Sequence, residues 1–271
     1  MPENTLPYLL DPEVLKNHLD ENSVRVVCLG KREQYFAAHI PGAVYLDVRI
    51  LNRGTKPAPG LLPDIAIIEQ AFQKIGLTDS THVVSYDDEA GTAAARLIWV
   101  LEAMGHRKQS FLDGGLISWK ALGLPLQSGA ESVMMTDWKA RPDAAVIADK
   151  QYVLESLGNP AIQILDARSP EEHLGIRSAS DRRGKIPGSI NLNWLDTIDT
   201  TNHHRLKSSE RLEQMLRDRG FDPDNEIITH CQTHQRSSHS FMMLRALGFK
   251  KVRGYAGSWS EWAEDPVLPV E

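Results

Sequence analysis

Few cysteines, no long apolar run and no excess of positive charge set the first limits on this 271-residue chain. Two cysteines cannot supply the bridge framework of a small secreted domain, so a reducing, cytoplasmic setting is expected. No apolar stretch approaches the roughly 18 residues of a membrane-spanning helix. Lys and Arg total 30 against 36 Asp and Glu, a formal net charge of −6. Neither nucleic acid nor an anionic membrane is therefore the expected partner. The opening residues, Met1-Pro2-Glu3-Asn4, are polar and acidic, unlike a secretory signal. No glycine-rich phosphate or dinucleotide motif is present. His203 and His204 are adjacent, with no cysteine or carboxylate cluster beside them. Neighbouring residues seldom share one face, so no metal is expected there, and no cofactor elsewhere.

What is present concentrates around Cys231. An apolar run, Ile227, Ile228, Thr229 and His230, leads into it. The short polar stretch Gln232, Thr233, His234, Gln235 and Arg236 follows, then Ser237 and Ser238. A helical pattern comes next, through Phe241, Met242, Leu244 and Leu247, closing at Gly248. Strand, cysteine, tight loop and helix start is a layout that makes a thiolate, because loop N–H groups and the helix macrodipole both point at the sulfur. Such settings lower a cysteine pKa from about 8.5 into roughly the 3.5–7.5 range. The alternative is a buried structural thiol, and the polar, basic neighbours argue against it. Cys28 lies in the apolar run from Val24 to Leu29 and reads as an inert core thiol. His234 is expected at the solvated rim of the loop, and His230 is as readily structural as functional.

The chain is also written twice. Val83-Val84-Ser85-Tyr86-Asp87 stands in the first half where Ile227-Ile228-Thr229-His230-Cys231 stands in the second. Upstream, Ile40-Pro41-Gly42-Ala43 matches Ile186-Pro187-Gly188-Ser189. Downstream, Gly114 and Trp119 match Gly257 and Trp262. A repeat this long means duplicated domains rather than a solenoid. In the first half a helix is predicted to open at Asp11-Pro12, with strands from Val24 and Thr81 and a helix from Asp64 to Lys74. The second half repeats the order: helix from Tyr152, strand from Ile162, helix from Ser209, strand from Glu226. Repeated βα units with apolar strands imply parallel sheets covered by helices on both faces. The second half carries about eight extra residues around 174–185, which hold Arg177, Arg182, Arg183 and Lys185. This insert is read either as a solvated basic loop or as a border of the Cys pocket that collects anions.

The doubled pattern, the Ile-Pro-Gly turns, the Gly-x-x-x-x-Trp segments and the single Cys loop together resemble the tandem-domain rhodaneses. That family holds thiosulfate and 3-mercaptopyruvate sulfurtransferases, and the likeness runs from about residue 8 to residue 268. It implies an α/β fold of two rhodanese-like domains: an inactive one over 1–126, a linker over 127–148 and a catalytic one over 149–271. It implies an active pocket near the junction of the domains. The expected activity moves a sulfane sulfur from thiosulfate or a similar small anion, through a Cys231 persulfide, to cyanide or a thiol. A carrier that hands the persulfide to a protein partner is the alternative. Gln232, Thr233, His234, Gln235, Arg236 and Ser237 are the expected persulfide-binding residues, with Arg236 as the cation for the leaving group. Arg177, Arg182 and Arg183 are candidates for steering. Asp166, which aligns with Cys28, reads either as a buttress for Arg168 or the pocket or as purely structural.

Two features limit the substrate. Thiosulfate rhodaneses carry basic residues directly after the Cys and mercaptopyruvate enzymes a Gly-Ser-Gly loop, whereas this chain has Gln232-Thr233-His234. Both groups usually place an Arg where Glu172 stands. Four residues separate Cys231 from Arg236. Tyrosine phosphatases use one more, so the shorter loop suits a single sulfur better than a phosphate.

Overall fold

The computed structural model describes residues 6–271, and the Met1–Asn4 stretch read above lies outside the described residues. Apolar β-branched runs form the strands. In the first half these are β1 (Leu9–Leu10), β2 (Val24–Cys28), β3 (Val44–Tyr45), β4 (His82–Tyr86) and β5 (Gln109–Leu112). They make one sheet in the order β1-β5-β4-β2-β3, and each neighbouring pair is parallel. The second half supplies β6 (Ile147–Ala148), β7 (Ile162–Asp166) and β8 (Ile190–Asn191). Two short strands, β9 (Ile198–Asp199) and β10 (Arg205–Leu206), stand outside the main sheet. β11 (Glu226–His230) and β12 (Val252–Tyr255) complete it in the order β6-β12-β11-β7-β8, again parallel throughout. The duplication read in the sequence is thus a duplication of topology.

Helices start where the capping chemistry places them. α1 (Pro12–Lys16) follows Asp11, whose side chain accepts from the Glu13 N–H, with Pro12 in the first turn. α7 (Pro170–His173) opens on a capping box between Ser169 and Glu172. The strand period of two divides each sheet into two faces. Val24, Val26, Cys28, Val84, Tyr86 and Leu112 bury one face against Leu15, Tyr35, Leu116 and Trp119. α2 (Arg32–Ala37) carries Tyr35, and α5 (Gly115–Ala121) carries Leu116 and Trp119. α3 (Ile65–Lys74) ends before Gly76, and α4 (Thr92–Ala103) packs on β4 and β5. In the second half, Ile164, Ile228 and Tyr255 pack with Val153 of α6 (Lys150–Ser156) and with Trp259 and Trp262 of α10 (Ser258–Glu264). α8 (Ser209–Arg217) has Leu212, Met215 and Leu216 inward, and α9 (Arg236–Ala246) lies on β11 and β12.

The compact units do not follow the halves of the sequence strictly. One holds residues through Leu51, Pro63–Pro142 and Asp199–Leu206. The other holds Asn52–Leu62, Asp143–Ile198 and Lys207–Glu271. Most of the 127–148 stretch therefore packs with the first unit, as in the hydrogen bonds Thr136 N–H to the Gln73 carbonyl and Arg141 N–H to the Met104 carbonyl. No described helix is long and apolar enough to cross a membrane.

Candidate active site

Cys231 is the first residue after β11, and α9 begins five positions later at Arg236. The intervening loop is pinned from below. The Trp259 and Ser260 N–H groups donate to the carbonyls of Cys231 and Gln232, at 2.9 and 3.0 Å. The Cys231 N–H donates to Ser258 Oγ at 3.3 Å, and that hydroxyl donates onward to the Tyr255 carbonyl at 2.8 Å. Gly60 closes the loop from another side within the same unit. A β-carbon there would meet the Thr233 carbonyl oxygen at 2.1 Å and that of Ala256 at 2.7 Å, so only glycine fits.

Cys231 is 1 % exposed. Burial pushes its thiol up, but the Arg236 charge, the Ser237 hydroxyl and the N–H groups of Ser237 and Thr233 outweigh it. The net result is a thiol held below its ordinary value. Cys28 shows the opposite balance. Burial dominates there, and the thiol is pushed up to about 11.

Arg236 is not a bare cation. Its two terminal nitrogens donate to Glu172 at 2.6 and 3.0 Å, while its charge still reaches the Cys231 sulfur. Burial raises the Glu172 carboxyl, but Arg236 reverses this and holds it below its usual range. The residue that departs from the family pattern is therefore the one that binds the loop's cation. Of the two readings of the insert, the structure favours a border of the loop, made by serines rather than by its arginines. Gln232 Nε2 donates to Ser180 Oγ at 3.0 Å, and Trp259 Nε1 lies 3.5 Å from Ser178 Oγ. Arg182 is committed to the Asp265 and Leu268 carbonyls at 2.7 and 2.9 Å, which anchors the insert rather than freeing a charge. Arg177 is exposed, 3.7 Å from Glu172, and Arg183 is exposed.

One expectation fails outright. His234 is fully buried, not at a solvated rim. Thr233 and Gln235 on either side of it are half-buried. The polar pattern of the loop concealed this, because the Gln232, His234 and Arg236 side chains serve internal hydrogen bonds.

Behind the strand end lies a charged group that the sequence only hinted at. Asp166 accepts a bidentate pair from Arg168 and a hydrogen bond of 2.8 Å from His173 Nδ1, with His230 Nε2 at 3.9 Å. Burial works against its charge, yet the His173 hydrogen bond and the Arg168 pair hold its carboxyl well below the ordinary range. Burial lowers His230 to about 4, so it is neutral at pH 7. Arg168 stacks over Trp259 at 4.6 Å. A cavity of about 640 Å³ lies in the first unit, lined by Arg32, Tyr35, Phe36, Tyr45, Ile67 and Lys74. None of the Cys-loop residues lines it.

A profile of the Rhodanese-like domain matches this chain twice, over residues 11–122 and 149–265. The chain belongs to the rhodanese family. It is a sulfurtransferase. The thiosulfate sulfurtransferase of Pseudomonas aeruginosa is 36 % identical over 266 residues, covering 98 % of this chain and 97 % of the relative. The 3-mercaptopyruvate sulfurtransferase of Escherichia coli K12 is 30 % identical, covering 95 % of each chain. The crystal structure of the Escherichia coli 3-mercaptopyruvate sulfotransferase SseA superposes with a TM-score of 0.84 at 26 % identity, covering 93 % of this chain and 99 % of that one.

Proposed function

We propose that this rhodanese moves a sulfane sulfur from thiosulfate to a small thiophilic acceptor through a persulfide on Cys231. The observation that carries the reading is Cys231 itself, buried and yet with its thiol held below its ordinary value by Arg236, Ser237 and loop N–H groups. The thiolate attacks the outer sulfur of thiosulfate. A new S–S bond forms at Cys231, the old one breaks, and its electron pair leaves with sulfite. The charge that was on the thiolate moves to the terminal sulfur of the persulfide, where loop N–H groups can receive it. Cyanide or a thiolate then attacks that terminal sulfur, and the pair of the breaking bond returns to Cys231. Cys231 is the nucleophile, with Gln232, Thr233, His234, Gln235 and Ser237 forming the cradle and Arg236 the positive charge beside it.

Near-complete burial of Cys231 favours small donors and acceptors over delivery to a protein. Thiosulfate sulfurtransferases match at 36 % identity over 98 % of this chain and a probable 3-mercaptopyruvate sulfurtransferase at the same identity over 87 %, so coverage rather than identity leans toward thiosulfate. Pairing of Arg236 with Glu172 leaves less free charge for the dianion, so the affinity for thiosulfate is modest. The first rhodanese domain, with Asp87 in place of the nucleophile, is catalytically silent, and a reducing cytoplasm suits two unbridged thiols. Intact mass spectrometry after incubation with thiosulfate tests the reading. One added sulfur, about 32 mass units, is expected on Cys231 and none on Cys28. Sulfur mapped to Cys28, or a protein that gains sulfur but never releases it to cyanide, overturns it.

A further inference from the structure

His234 combines two features that rarely coincide. Its imidazole is fully buried, and its backbone φ of +57° lies in the left-handed region that a β-carbon disfavours. Two hydrogen bonds hold this conformation. Nδ1 lies 2.7 Å from Ser237 Oγ, and the Ser238 hydroxyl donates to the His234 carbonyl at 2.5 Å. Ser237, in the first turn of α9, has its hydroxyl and its N–H near enough to the Cys231 sulfur for both to favour its charged form. Sulfur, hydroxyl and imidazole therefore form one line.

Counting hydrogens gives the line a direction. A hydroxyl has one proton to donate. A thiolate, or a persulfide anion, only accepts. If the Ser237 proton goes to sulfur, then Ser237 Oγ must accept from His234, and Nδ1 must carry the hydrogen. A histidine with hydrogen on Nε2 alone would accept at Nδ1 and turn the hydroxyl away from the sulfur.

We propose that His234 is a positioning residue for sulfur transfer, fixing the Ser237 hydroxyl as a donor to the Cys231 sulfur by donating to it from Nδ1. This rests on the reading of Cys231 as the nucleophile. The loop accepts a left-handed, non-glycine residue because the buried ring sets the polarity of the hydrogen bond that the reacting anion uses.

The test follows the pH dependence of Cys231 alkylation by iodoacetamide, with thiosulfate:cyanide turnover measured alongside. The other charges near the sulfur are left in place: Arg236 with Glu172, and Asp166 with Arg168, His173 and His230. His234→Leu keeps volume without a donor. His234→Asn keeps a donor close to the Nδ1 position and tolerates the left-handed backbone. His234→Leu and Ser237→Ala are each expected to raise the alkylation midpoint by about one pH unit, a roughly tenfold loss of thiolate at neutral pH. The double variant should move it no further, because both remove the same hydrogen bond. His234→Asn should stay within about threefold of wild type. An unchanged midpoint in Ser237→Ala, additive shifts in the double variant, or equal loss in His234→Asn and His234→Leu overturns the proposal. If His234→Leu does not fold, Ser237→Ala and His234→Asn decide alone. Alkylation needs no sulfur donor, so wild type that fails to take sulfur from thiosulfate refutes the nucleophile reading separately.

Discussion

The two halves carry one cysteine and one aspartate each at the same two places, with the residues exchanged. At the end of the strand beside the loop, Cys28 closes β2 and Asp166 closes β7, paired with Tyr86 and His230 respectively. At the head of the loop, Asp87 follows β4 and Cys231 follows β11. The Asp87 carboxylate is fully enclosed and accepts from the N–H groups of Glu89, Gly91, Ala93 and Ala94 at 2.9–3.2 Å. Burial raises its carboxyl above the ordinary value, and these N–H groups offset only part of that. The first half thus keeps an anion-binding loop and fills it with its own side chain. In the second half the loop holds a sulfur that can react, and the aspartate has moved behind it, into a buried cluster with Arg168 and His173. One loop geometry directs N–H groups at its head residue in both cases, but only in the second half does the balance favour the charged form.

Exchanging the roles of the two cysteines is the strongest way to break this comparison. Cys231→Ser should abolish thiosulfate:cyanide turnover, a loss on the order of 10⁶-fold for removal of a nucleophile, while Cys28→Ser retains wild-type kinetics. Comparable loss from both would mean that the settings do not differ as described.

The two strand-end residues should differ nearly as much in stability. Asp166→Asn leaves the Arg168 guanidinium, 1 % exposed, without its counter-charge and should cost about 3–5 kcal/mol in urea unfolding. Cys28→Ala should cost only about 1–2 kcal/mol for the small cavity left. The sign with pH is set by a folded-state carboxyl held below its unfolded value. The Asp166 contribution is present above about pH 4 and is lost as pH falls further, so wild type should lose more stability in acid than Asp166→Asn does.

Smaller effects separate the charges at the reactive loop. Arg236→Ala should lower thiosulfate turnover about 10- to 150-fold, the loss of one charge-assisted hydrogen bond, and move Cys231 alkylation to higher pH. Arg236→Lys should recover only part, since an ammonium cannot reproduce the fork. Glu172→Gln should move the alkylation midpoint the other way, because it removes a negative charge near the thiolate. A shift in the same direction for both would show that the pair does not act on the sulfur through charge.

The insert, which has no counterpart in the first half, should contribute least. Arg177→Ala and Arg183→Ala should each change turnover less than about fivefold, with the difference gone in high salt, as for exposed charges. Arg182→Ala should lower the melting temperature instead, because its guanidinium ties the insert to the carbonyls of Asp265 and Leu268.

The sequence by itself determined the duplicated α/β architecture and the order of strands and helices along each half, and it singled out Cys231 as the candidate nucleophile. Hydrophobic period, caps and the matched Ile-Pro-Gly turns are local signals, and Gly42 and Gly188 do take the same left-handed turn, at φ +73° and +72°. β11 runs over Glu226–His230 as read, and α3 ends at Lys74 before Gly76 as read. Contacts between distant segments left no such mark. Glu172 reaches Arg236, Ser180 reaches Gln232, and Gly60, from the first half of the chain, fits under Thr233. His234 was placed at the rim because a polar loop residue usually finds its hydrogen bonds in water. Here the fold supplied the partner, Ser237, one helical turn away. Pattern in one dimension records which side chains need burial or a cap. Only the folded chain decides which polar group meets which, because that depends on distances between segments that the sequence does not order.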